Sequence, residues 1–268
     1  MTQDKFVSYK NTKIRYRDQG KGTVVVLLHG FLERLEMWNY FSSQISKSNR
    51  VISIDLLGHG DTESIGYVHT MANMAEYVKA VLDSLKIRKY ILVGHSMGGY
   101  VVLSLSEKFT DNIKGLCLFH STSLSDTDEK KKNRDQAIVL VKQNHKSFIR
   151  KAIPMLFRPK NRKLFSEELK EAKAMALTTS KQGVIAALEG MKIRENFEMV
   201  LHFAPFPKQM IIGKYDNALP YNSLISQVKG IENISVDEFP VGHMGHIEAK
   251  EETLLALRKF IKHVSTSR

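Results

Sequence analysis

An α/β architecture, with a mostly parallel sheet covered by helices on both faces, is predicted by three observations. Short apolar runs recur along the chain, helical patterns of about 10–15 residues separate them, and no apolar stretch approaches the ~20 residues that cross a bilayer. The 268 residues are 43% hydrophobic and 25% charged, with a mean hydropathy of −0.24. These values exclude disordered and fibrous classes. The length fits one large domain, or one domain carrying a modest insertion.

The elements follow in order. Lys13-Ile14-Arg15-Tyr16-Arg17 alternates, as a strand with one wet face does. Val24-Val25-Val26-Leu27-Leu28 is continuously apolar, which suits a strand buried on both sides of a parallel sheet. Val51 to Ile54, Tyr90 to Val93, Ile113 to Phe119 and Gln209 to Ile212 repeat the pattern, and Ile234 to Phe239 supplies a last strand. Helical periodicity covers Met37 to Lys47, Met71 to Leu85, Gly98 to Phe109 and Glu251 to Val264. Strands alternating with helices imply βαβ units with right-handed connections.

One stretch breaks the alternation. From Ser121 to Pro207 no strand is predicted, only charged helical sequence punctuated by Pro154, Pro159, Pro205 and Pro207. The expected division is therefore a core domain of residues 1–120 and 208–268 with a helical lid of residues 121–207. Such an insertion is placed over the C-terminal edge of the strands, where open α/β sheets bind ligands.

Charge and cysteine usage bound the partners. Lys and Arg outnumber Asp and Glu by 40 to 28, a net +12, and the lid carries 17 against 10. Such a surplus attracts nucleic acid, anionic lipid or an acidic substrate, or simply keeps a surface soluble. No zinc-finger spacing, RNP-like aromatic motif or Walker loop accompanies it, so neither nucleic acid nor membrane is an expected partner. A single cysteine, Cys117, excludes an internal disulfide and suits a reducing compartment. The polar start Met1-Thr2-Gln3-Asp4-Lys5 has no apolar stretch behind it, and a cytoplasmic location is the expectation. Monomer and homodimer both remain open.

Chemistry concentrates in three places. Gly94-His95-Ser96-Met97-Gly98 follows a predicted strand and opens a helix, the context that G-x-S-x-G requires. A sharp turn there lifts the Ser96 hydroxyl above the sheet, and the helix N-terminus offers N–H groups to a developing oxyanion. A serine needs a base, and the base needs an acid to orient it, in the chain order Ser, Asp or Glu, His. Asp216, just past the strand Gln209–Ile212, is the expected acid; Asp237 and Glu238 lie inside the next strand rather than beyond it. His243 and His246 compete for the base in Val241-Gly242-His243-Met244-Gly245-His246. His243 comes first after the strand, on a loop hinged by Gly242, whereas His246 begins or caps the final helix. His29-Gly30-Phe31 closes the first apolar strand, and the Phe31 N–H is the expected oxyanion donor beside that of Met97. Asp55 to Gly60 reads as a rigid loop, and Cys117 as an inert core thiol.

These signals, taken in order, resemble the α/β-hydrolase superfamily, and within it the lidded esterase, lactonase, haloperoxidase-like and C–C hydrolase group. The resemblance implies eight mostly parallel strands with an antiparallel entry, and a catalytic histidine five positions before a glutamate. His243 and Glu248 have that spacing, which favours His243 over His246. It also implies a serine hydrolase of a small ester, thioester or lactone, with no metal or organic cofactor. A ligand-binding protein on the same fold, and a lyase or C–C bond hydrolase using the same triad, remain as alternatives. Ser96 stands where haloalkane dehalogenases and epoxide hydrolases carry aspartate, and Tyr100 replaces the arginine that follows the double glycine in the related synthase of menaquinone biosynthesis.

The substrate pocket is expected to involve His29, Gly30, Met155, Phe157 and Met191, although hydrogen bonding within its own loop is the simpler role for His29. Lys130, Lys131, Lys132 and Arg134 admit two accounts. Facing the cleft, they favour anionic substrates; facing solvent, they keep the lid soluble while an apolar pocket takes neutral acyl groups. The second account is the expectation, because clustered lysines usually sit on a solvated helix face.

Overall fold

The structure, a computed structural model, describes residues 3–266. The charged start falls partly on Met1 and Thr2, which lie outside the described residues. Eight strands form one sheet: β1 (Lys5–Tyr9), β2 (Thr12–Gln19), β3 (Val24–Leu28), β4 (Arg50–Ile54), β5 (Tyr90–His95), β6 (Ile113–Phe119), β7 (Lys208–Gly213) and β8 (Ile234–Phe239). Their order is β1-β2-β4-β3-β5-β6-β7-β8. β1 and β2 pair antiparallel, as do β2 and β4, and every later pairing is parallel.

The continuous apolar runs become central strands because both sides of each are covered. Val25 and Leu27 face one side with Ile91, Val93 and Cys117, against Trp38, Phe41 and Ile45 of α1 (Asn39–Ile45) and its lead-in, and against Leu257, Phe260 and Ile261 of α10 (Lys250–Thr266). Val26 and Leu28 face the other side with Leu92, Leu116 and Leu118, against α2 (Met71–Ser84) and α3 (Met97–Lys108). Each such fully buried aliphatic side chain contributes about 1.5–3 kcal/mol relative to exposure.

Two elements differ from the sequence reading. β2 has no simple wet face: Arg15 is 2% exposed, because its guanidinium is enclosed by Asp4, Glu36 and Asp55. The last helical region is broken at Ala249, so His246 lies in a separate short turn of helix, α9 (Gly245–Glu248), ahead of α10.

Between β6 and β7 the described residues form helices only: α4 (Asp128–Leu156), α5 (Ser166–Ala176), α6 (Lys181–Lys192) and α7 (Glu198–Phe203). The Thr127 side chain caps α4 by accepting from the Lys130 N–H. Asn144 breaks α4 with an extended backbone (φ −154°), and its Oδ1 restarts the helix by accepting from the Ser147 N–H at 3.0 Å. After β7, α8 (Tyr221–Val228) returns the chain to the sheet.

Strand order fixes where a site forms. From β3 the chain moves outward to β4 and then returns to β5 on the other side of β3, so β3 and β5 flank the switch point. The loops leaving those strands carry Gly30-Phe31 and Ser96.

Candidate active site

Ser96 sits between β5 and α3 with φ 50° and ψ −114°. A non-glycine residue in that region stores about 1–3 kcal/mol of strain, and its surroundings must hold it. They do so through Ser96 N–H to the Phe119 carbonyl (2.9 Å), Ser121 Oγ–H to the Ser96 carbonyl (2.8 Å) and Gly99 N–H to the same carbonyl (2.9 Å). Gly94 and Gly98 permit the close crossing: a Cβ on Gly94 would strike the Gly98 backbone, and one on Gly98 the Leu28 carbonyl.

Two other loops converge on this serine. His243 Nε2 lies 2.8 Å from Ser96 Oγ, and His243 Nδ1 lies 2.6 Å from Asp216 Oδ2. Asp216 follows β7 and is itself fixed, since its Oδ1 accepts from the Ala218 (2.8 Å) and Leu219 (3.0 Å) N–H groups. Burial alone would raise the Asp216 pKa, but the neighbouring His243 and His120 rings hold the carboxyl well below the usual range. Burial lowers the His243 pKa, the Asp216 carboxylate more than offsets it, and the net shift is upward. His246 is placed differently. It faces Glu33 at 3.7 Å, and burial pushes it down to about 3, so it stays neutral.

The N–H groups of Phe31 and Met97 are the expected oxyanion donors. Among the described residues neither donates to a protein acceptor, Met97 being the first residue of α3. Phe31 and Ser96 border a cavity of about 390 Å³ whose remaining wall comes largely from α4, α6 and the loop after Asp216.

Of the expected pocket residues, Met191 lines this cavity and four do not. Met155 is 61% exposed, and the neighbouring Leu156 turns inward instead. Phe157 is fully buried beneath the His243 loop rather than in the cavity. His29 is buried away from it, with Nε2 accepting from the Leu56 N–H (2.9 Å) and Nδ1 2.8 Å from the Gly30 carbonyl. Gly30 contributes backbone, its N–H donating to Glu33 Oε2 at 2.6 Å.

Glu33 is one of the residues the sequence did not disclose. Its Oε2 also meets His95 Nδ1 at 2.7 Å, and His95 Nε2 lies 3.1 Å from the His243 carbonyl. One buried carboxylate thus ties together the Phe31 turn, the strand before Ser96 and the His243 loop. Although burial opposes it, the neighbouring His95 brings the Glu33 pKa down to about 2. His120 stands 3.7 Å from Asp216, beyond hydrogen-bond reach, and burial lowers it to about 4. Glu248 joins the helical insertion to the His243 loop: it accepts from the N–H groups of Gly242 and Arg158 (both 3.1 Å) and from Asn161 Nδ2 (2.7 Å). The Leu156 carbonyl accepts directly from the His243 N–H at 2.7 Å.

The family described as the alpha/beta hydrolase fold matches residues 23–149. An esterase from Thermogutta terrifontis superposes with a TM-score of 0.92 over 98% of this chain and 100% of that one, at 28% identity. The chain is an α/β-hydrolase-fold protein. The enol-lactonase from Burkholderia xenovorans LB400 shares the fold, with a TM-score of 0.89 over 96% of this chain and 100% of that one, at 21% identity. In sequence, the dihydrolipoyllysine-residue acetyltransferase component of an acetoin cleaving system from Pseudomonas putida is 26% identical over 245 residues. That alignment takes in 90% of this chain but 64% of the relative, so the chain spans less than two thirds of that relative's length.

Glu33, His95 and His246 present ligand atoms within 4.8 Å of one another, the one group among the described residues able to converge on a metal ion. An ion there would displace the Glu33–His95 hydrogen bond and the Gly30 N–H bond that shape the Phe31 turn. No helix among the described residues is long and apolar enough to cross a membrane.

Proposed function

We propose that the protein is a serine hydrolase of a small carboxylic ester, thioester or lactone, acting through an acyl-enzyme on Ser96. The observation that carries this reading is the unbroken contact from Asp216 through His243 to Ser96, at 2.6 and 2.8 Å. The esterase likeness from Thermogutta terrifontis, at 28% identity over almost the whole chain, supports the same class of reaction. The helical insertion acts as a lid, anchored to the His243 loop through Glu248 and Leu156.

In this mechanism His243 Nε2 takes the Ser96 proton as Oγ attacks the carbonyl carbon, and Asp216 stabilises the resulting imidazolium. The carbonyl oxygen gains the negative charge between the Phe31 and Met97 N–H groups. Collapse breaks the bond to the leaving group, which collects its proton from His243. His243 then deprotonates the water that attacks the acyl-enzyme, and gives that proton to Ser96 Oγ as the bond to the acyl group breaks and the acid departs. No metal or organic cofactor enters these steps. Treatment with a fluorophosphonate followed by peptide mapping tests the reading. Stoichiometric modification at Ser96, lost in Ser96→Ala, is expected; ester turnover without labelling at Ser96 would refute it.

A further inference from the structure

The charge of α4 is not all turned to solvent. Lys130, Asn133, Arg134 and Ala137 recur at helical spacing, and all four border the cavity that contains Ser96 and His243. Lys131 and Lys132, between them in sequence, are exposed. This overturns the expectation that the whole cluster only keeps the insertion soluble.

The charges inside do not cancel. Asp126, buried at the start of α4, receives both Arg134 Nε and Arg194 Nη1, the latter at 2.6 Å, so two guanidinium groups share one carboxylate. Arg194 lies 4.1 Å over the Tyr100 ring, and its buried Nη2 has no hydrogen-bond partner. Lys130 Nζ makes no hydrogen bond or ion pair among the described residues. It stands between the reaction cavity and an outer cavity of about 360 Å³ that Arg194 also lines. Within the inner cavity Glu33 is engaged by His95, and no carboxylate contacts Lys130, although the charges of Asp126 and Asp216 reach it from farther off. Burial lowers the Lys130 pKa, and its charge is felt at His243. A half-buried ammonium without an anion in contact is costly, and a substrate anion lowers that cost.

We infer that Lys130, backed by Arg134, binds a carboxylate carried by the substrate a few bonds from the scissile carbonyl. This rests on the serine-hydrolase reading and narrows its substrate class to anionic esters, thioesters or lactones. Asn133 and Asn217 line both cavities that Lys130 borders, and their amides can donate to the same anion. Leu156, Leu188 and Met191 cover the chain that links carboxylate to carbonyl.

The test compares kcat/KM for para-nitrophenyl hydrogen glutarate with that of its carboxamide isostere, placing charge on the acyl side. A second arm compares para-acetoxybenzoate with para-acetoxybenzamide, placing it on the leaving group. One charged ester should exceed its neutral partner by about tenfold or more, as a hydrogen bond to an ionic partner provides. The advantage should shrink with salt, since the screening length is about 10 Å at 0.1 M. Lys130→Met should abolish the ratio, Lys130→Arg should retain most of it, and Lys132→Met should leave it unchanged. Turnover of neutral and charged esters at equal rates would overturn the carboxylate site while leaving the hydrolase reading intact. Should no ester turn over and Ser96 resist fluorophosphonate, the hydrolase reading fails, and glutarate binding by calorimetry still decides the site. An affinity unchanged by Lys130→Met overturns it; a tenfold loss upholds it.

Discussion

Glu33→Gln should weaken both the fold and the site, and its size follows from the geometry. Glu33 is 6% exposed and holds Gly30 N–H at 2.6 Å and His95 Nδ1 at 2.7 Å. Both His95 ring nitrogens face oxygen atoms, Glu33 Oε2 and the His243 carbonyl, and Glu33 is the carboxylate in contact with the ring. The Glu33 pKa falls from 4.5 to about 2, because His95 outweighs burial. At 1.36 kcal/mol per unit, that shift corresponds to about 3 kcal/mol, the scale of breaking a buried ion pair from one side. A depressed carboxylate pKa stabilises above its unfolded value, so the contribution is complete above pH 4.5 and is lost as pH falls through about 2. Urea unfolding of the two proteins should therefore differ by about 3 kcal/mol at pH 7, with the gap narrowing to roughly half or less by pH 3. Because a neutral Gln holds His95 and the Gly30 N–H less strongly than the carboxylate does, the Phe31 turn loosens and kcat should fall by about tenfold, with KM changing less. A variant within about 0.5 kcal/mol of wild type at pH 7, or a gap constant down to pH 3, would refute this account of Glu33.

Further expectations follow from the same geometry. His243→Ala should reduce kcat/KM by several orders of magnitude, whereas His246→Ala, whose ring does not touch Ser96, should cost less than about tenfold; steady-state kinetics decide between them. Only neutral His243 accepts the serine proton, and its pKa lies above 6.5, so kcat/KM should fall as pH drops through a value above 6.5. Asp216→Asn should move that acidic limb down and lower the plateau by up to about 10⁴-fold. Glu248→Ala removes the acceptor shared by Gly242, Arg158 and Asn161, and should raise proteolytic cleavage within residues 157–165 while lowering activity.

The parts of this molecule that sequence makes legible are those governed by local rules. Val24 to Leu28 announces a central strand because every residue of it needs apolar cover, and Gly94 to Gly98 announces the turn because only small residues survive the crossing over Leu28. What escapes depends on partners distant in the chain. Arg15 looks like a solvated strand residue until Asp4, Glu36 and Asp55 close around it. Glu33 and His95 are separated by 62 positions, and neither signals the other. Met155 and Leu156 are equally apolar, and only the way α4 ends sends one outward and the other into the cavity. The inward face of α4 was readable in principle, since Lys130, Asn133, Arg134 and Ala137 share a helical face; counting the basic cluster as a block hid it.

The proposed acyl-enzyme on Ser96 is tested most directly by product partitioning. Acetate esters with different leaving groups, such as para-nitrophenyl acetate and phenyl acetate, are hydrolysed in the presence of methanol, and the ratio of methyl acetate to acetate is measured. A shared acyl-enzyme forgets its leaving group, so the ratio should be identical from every ester, and Ser96→Ala should lose both products together. A ratio that changes with the leaving group would mean that water attacks the substrate directly, and the account of Ser96 would be wrong.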